Sequence, residues 1–78
     1  MSQFRIQIRC FQDILDFVRL ATVQPYRIRL SNHWQSANAT SFMALVSMDH
    51  CQPLQVSAEC SEEEAAGFRS LIQRLIVD

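Results

Sequence analysis

Near the start of the chain apolar and polar positions alternate, with Phe4, Ile6 and Ile8 set against Arg5, Gln7 and Arg9. A period of two is the signature of a strand with one face on an apolar layer, so residues 3–9 are predicted as the first strand. The period then lengthens. Ile14, Phe17, Val18 and Ala21 fall at i, i+3, i+4 and i+7, one stripe of a helix. Gln12 or Asp13 is its expected cap, and Pro25 stops it by denying the preceding residue helical geometry. Tyr26, Ile28 and Leu30 alternate with Arg27 and Arg29 as a second strand. Ser31-Asn32-His33 has turn chemistry, and residues 34–38 are predicted as a short third strand completing a hairpin.

Residues 41–48, Ser-Phe-Met-Ala-Leu-Val-Ser-Met, are predicted as a short helix capped by Ser41, with Leu45 and Val46 toward the core. Pro53 marks a turn, after which Leu54, Val56 and Ala58 alternate with Gln55, Ser57 and Glu59 as a fourth strand. Ser61 followed by Glu64 is a capping box, and Glu62, Glu63 and Glu64 place negative charge where the helix dipole favours it. Ala65, Phe68, Leu71, Ile72, Leu75 and Ile76 then form a stripe expected to carry the last helix to the end of the chain. The predicted order is β-α-β-β-α-β-α. Strands with one polar face each call for two layers: a four-stranded antiparallel sheet covered on its apolar side by three helices, an α+β fold in one domain over residues 1–78.

Composition narrows the function classes. Apolar residues make up 49% and charged residues 19%, which is ordinary for a globular chain and unlike a disordered one. The net charge of −1 creates no field that draws the chain to nucleic acid or anionic membrane. All seven basic residues are Arg. The alternating start has no secretory apolar run, and no apolar stretch approaches the roughly 20 residues of a membrane helix. Cys10, Cys51 and Cys60 are odd in number and lack metal-type spacing, which fits a reduced, cytoplasmic chain. No Gly-rich phosphate loop, metal-ligand cluster or spaced nucleophile-base pair is present. Neither an enzyme activity nor a metal or cofactor is expected. Strand alternation places Arg5, Arg9, Arg27 and Arg29 on the sheet face away from the helices, a candidate basic surface. A single-strand RNA platform would also need aromatic side chains on that face. These strands turn theirs inward, which argues against nucleic acid as the partner.

Residues 36–48, Ser-Ala-Asn-Ala-Thr-Ser-Phe-Met-Ala-Leu-Val-Ser-Met, resemble the stretch around the regulatory serine of HPr, the phosphocarrier of the bacterial sugar phosphotransferase system. Phe17-Val18-Arg19-Leu20-Ala21 is similar to that family's first helix and residues 4–8 to its first strand. The final helix, opening with acids and Ala, continues the likeness, which spans essentially the whole chain. The resemblance implies the open-faced two-layer sandwich of HPr and protein partners of phosphotransferase-system type. It also implies a phosphoryl-carrying histidine between the first strand and first helix, followed by Arg and Pro. Here that junction is Cys10-Phe11-Gln12-Asp13, with no histidine, and Asp13 is expected to repel phosphate. His33 and His50 fall in other loops and read as surface histidines.

By the resemblance, Ser41 matches the serine phosphorylated by HPr kinase, although Thr40 stands where the family usually has Lys. Phe42 and Met43 fall where the family presents apolar side chains to partners. The resemblance therefore implies a regulatory or docking protein that has lost its carrier histidine. Two alternatives stay open: a phosphocarrier using Cys10, or a nucleic-acid module using the Arg face.

Overall fold

The computed structural model describes residues 2–77. Its elements are β1 (Ser2–Ile6), α1 (Phe11–Thr22), β2 (Ile28–Ser31), β3 (Ser36–Asn38), α2 (Phe42–Ser47), β4 (Leu54–Ala58) and α3 (Glu62–Leu71), followed by a 3-10 turn, Gln73–Leu75. The strands form one sheet in the order β1-β4-β2-β3, with every neighbour antiparallel. The three helices cover its apolar face. This is the predicted α+β architecture.

Register follows from the alternation. Phe4 lies opposite Val56, Val56 opposite Leu30, and Leu30 opposite Ala37, so one inward row crosses all four strands. Against this row pack Phe17 of α1 and Phe68 of α3, edge to face with ring centroids 5.8 Å apart. Both are fully buried, as are Ile6, Ile28, Leu30 and Val56. No helix among the described residues is long and apolar enough to cross a membrane.

The departures from the sequence reading are local, and each has a cause. β1 ends at Ile6, leaving Arg9 beyond the strand although Ile8 stays buried. α1 begins at Phe11 with Cys10 at the N-cap position, so Gln12 and Asp13 lie within the first turn instead of at that position. β3 is confined to Ser36–Asn38, because the Asn32 side chain accepts the backbone N–H groups of Trp34 and Gln35 and draws them into the turn. Ser41 precedes α2 as expected, but its hydroxyl makes no capping bond. Leu45 is buried, while Val46 faces solvent.

The last helix is the largest departure. Its capping box forms as read, with Ser61 Oγ accepting the Glu64 N–H and Glu64 accepting the Ser61 N–H. The apolar stripe does not continue as one α-helix. Leu71 turns outward, the chain tightens into the 3-10 turn, and Ile72 and Leu75 remain buried. Beyond it the backbone extends beside β1: Gln7 N–H donates to Leu75 O at 2.8 Å, Val77 N–H donates to Arg5 O at 3.1 Å, and Ile6 pairs with Ile76. An edge strand otherwise offers bare N–H and C=O groups, and this segment satisfies them.

Candidate functional site

The junction between β1 and α1 is the first region to examine. Cys10 is extended, exposed, and caps nothing with its side chain. The capping role passes to Asp13, the third helical residue, whose carboxylate accepts the Arg9 N–H at 2.9 Å. Asp13 is 3% exposed and paired with Arg74, whose other guanidinium nitrogen binds Asp16. Asp16 also accepts from Gln12 and Arg19, each at 2.9 Å. Burial alone would raise the pKa of Asp13, but the hydrogen bonds from Arg74 and the Arg9 N–H outweigh it and hold the carboxyl below its ordinary range. The hydrogen bond from Gln12, and then those from Arg74, lower Asp16 as well.

This changes the role expected for Asp13. Its charge does not simply face an incoming phosphate. It is turned inward, paired, and already uses the Arg9 N–H as a donor at this helix end. His33 lies in the β2–β3 turn with its ring beside Trp34, the centroids 6.0 Å apart. His50 sits in the loop before β4, its Nε2 2.7 Å from Leu45 O. Neither histidine opens a helix.

Next to the junction is an apolar face that the sequence reading found only in part. Phe11 is 59% exposed and stacks edge to face on Phe42, the ring centroids 5.5 Å apart. Phe42 is thereby half-buried, whereas Met43 is 70% exposed. Leu15 and Val46 are also exposed. Between α1 and α2 runs a shallow groove of about 370 Å³ lined by Gln12, Leu15, Val18, Arg19 and Phe42. The signal for the missed half was present. Phe11, Leu15 and Val18 are spaced i, i+4 and i+7, a second apolar stripe on α1 beside the buried one. Ser41 lies exposed at the start of α2, its N–H bonded to Asn38 O at 3.0 Å.

Of the four arginines, Arg5 and Arg29 lie within strands, whereas Arg9 and Arg27 lie outside the strand bounds. Arg5 and Arg29 project from the outer sheet face, opposite Gln55 and Ser57 of the intervening β4. Arg29 donates to Ser36 Oγ at 3.1 Å. Arg27 lies beside Glu59, with Nε and carboxylate 3.8 Å apart. Arg9 lies past the strand and donates toward Gln7 O. Trp34 is exposed in the turn, so no aromatic ring stands within the outward rows. Among the described residues no cluster of His, Cys, Asp and Glu is arranged to hold a metal ion.

No protein-family model matches the chain. No curated protein matches it. Solved structures do. HPr-C-His from Thermoanaerobacter tengcongensis superposes with a TM-score of 0.71 at 25% identity, covering 94% of this chain and 92% of that one. The phosphocarrier protein HPr from Bacillus anthracis str. Ames gives a TM-score of 0.68 at 21% identity, covering 92% of this chain and 96% of that one. The chain has the HPr fold. Within that fold, the HPr-like chain places Cys10 and Asp13 at the start of α1 and an apolar face across α1 and α2.

Proposed function

We propose that the chain is a regulatory, docking relative of HPr within the phosphoenolpyruvate-dependent sugar phosphotransferase system, one that does not carry phosphate on histidine. The observation that carries this reading is the start of α1. A Cys N-cap, with a paired, buried carboxylate three residues on, stands where the resemblance calls for a histidine and its Arg-Pro. A phosphohistidine needs a ring nitrogen as nucleophile and free donors for the phosphoryl oxygens. Here the ring is absent, and Arg74 and the Arg9 N–H are engaged by Asp13. The exposed Phe11, Met43 and Leu15 support docking, since large apolar side chains held out of the core mark interaction surfaces. Ser41 is the proposed regulatory residue: it is exposed and its hydroxyl is not spent on a capping bond. Phosphate there would add charge beside Phe42 and Met43 and change what the face accepts.

The test is incubation with phosphoenolpyruvate plus enzyme I, and separately with ATP plus HPr kinase, followed by intact-mass and site analysis. Phosphate on Ser41 in the second reaction alone is the expected result. Acid-labile phosphate on a histidine overturns the reading. Thiol-bound phosphate on Cys10 would make the chain a carrier of unusual chemistry, the alternative that the exposure of Cys10 at the N-cap favours.

A further inference from the structure

The outer face of the sheet holds a recess that neither the β1–α1 junction nor the α1–α2 face uses. Its floor is one outward row across three strands: Arg5 of β1, Gln55 of β4 and Ser31 of β2, with Gln55 opposite both of the others. Two loops wall this row, Asn32-His33 from the β2–β3 turn and Gln52-Pro53 leading into β4. They bound a volume of about 300 Å³, at the small end of the range for small-molecule sites.

The lining groups decide what fits. Among the described residues, the Ser31 hydroxyl, the Gln52 and Gln55 amides and the ring nitrogens of His33 make no hydrogen bond within the protein. Each of these groups offers both a donor and an acceptor. Asn32 is committed to the wall: its Oδ1 accepts the N–H groups of Trp34 and Gln35, and its Nδ2 donates to Gln35 Oε1 at 3.2 Å. No carboxylate lines the recess, so it lacks the ligands for a cation. Its one formal charge, on Arg5, is already engaged, which leaves an anion no uncommitted cation. An apolar occupant would desolvate the amides and the hydroxyl without pairing them, at the penalty for unsatisfied polar groups. What the lining matches is a neutral molecule rich in hydroxyls, each of them donor and acceptor. Trp34, 73% exposed, stands beside His33 with the ring centroids 6.0 Å apart, an aromatic surface next to the recess for the C–H face of a sugar ring.

We propose that this recess binds a small polyhydroxylated molecule, a monosaccharide or sugar alcohol, through Ser31, His33, Gln52 and Gln55, with Trp34 against its C–H face. The recess lies on the sheet face away from the helices, so the proposal stands apart from docking at α1–α2 and from phosphate on Ser41.

Backbone amide spectra of the full chain, recorded with D-glucose, D-mannitol and inorganic phosphate each up to about 50 mM, test this. The expected result is saturable shifts with glucose or mannitol, centred on residues 31–35 and 52–55, with a Kd of roughly 1–10 mM. Trp34 is the sole tryptophan, so its emission should change with the same midpoint. Gln52 and Gln55 are exposed, and Gln52→Ala and Gln55→Ala should each weaken binding roughly 5-fold, the worth of one hydrogen bond. An unchanged melting temperature shows that each variant keeps the fold. Silence with both glucose and mannitol overturns the proposal, as does binding that neither variant weakens. Shifts with phosphate alone would make the recess an anion site and overturn it as well.

Discussion

Asp13 combines three roles in one side chain. It caps the Arg9 N–H, it places negative charge in the first turn of α1, and it anchors Arg74 from the far end of the chain. Removing it by Asp13→Ala should cost about 2 kcal/mol, the range for hydrogen bonds to a charged group, as measured by urea unfolding at neutral pH. The pH dependence follows from the same contacts. Folding holds the carboxyls of Asp13 and Asp16 below their ordinary range, so the folded state favours the ionised form. Their contribution is complete above the unfolded carboxylate pKa of about 4 and is lost as pH falls through the lowered values. Unfolding free energy should therefore be level from about pH 7 to 5 and drop below about pH 4. Asp13→Asn should flatten the drop; an identical profile would show that the ion pair contributes nothing.

The elements differ in how far local rules specify them. The start of α3 was legible because a capping box is closed within four residues, Ser61 to Glu64. The start of α1 was not, because its cap is a carboxylate reaching back to Arg9 with help from Arg74, a partner remote in sequence. α1 also carries two apolar stripes. Only that of Ile14, Phe17 and Ala21 can face the sheet, and spacing alone does not say which stripe is left in solvent. Within α3, Gly67 has an ordinary helical backbone, and a Cβ added there meets nothing within 4 Å. Gly67→Ala should thus stabilise the protein by about 0.5–1 kcal/mol through lower unfolded-state entropy, raising the melting temperature by about 4 °C. Calorimetry would show it.

For the molecule as a whole, stability is held by one thin core. Phe17 is fully buried between the sheet and Phe68. Phe17→Ala should cost about 3–5 kcal/mol, against a total of only about 4–12 kcal/mol for a domain of this length. Loss of near-ultraviolet dichroism at 37 °C and a much lower urea midpoint are the expected readouts. The segment after α3 closes the molecule by covering the outer edge of β1. Val77→Pro removes the N–H bonded to Arg5 O and should cost about 1 kcal/mol. It should also raise light scattering at high concentration, since an open strand edge invites pairing between chains.

By itself the sequence determined the element order, the inward and outward faces of β1, β2 and β4, the acidic opening of α3, and the absence of a histidine from the junction of β1 and α1. Those properties follow from period, from capping chemistry within a few residues, and from residue identity. Tertiary structure alone decided three others. Asp13 is paired rather than repulsive because Arg74, 61 residues away, folds back onto it. Leu71 turns out and Ile76 extends because the bare edge of β1 needs partners more than the helix needs another turn. Phe11 reaches solvent and meets Phe42 because the sheet has room for only one of the two stripes of α1. Each depends on groups far apart in the chain meeting in space, and neither periodicity nor local propensity carries that information.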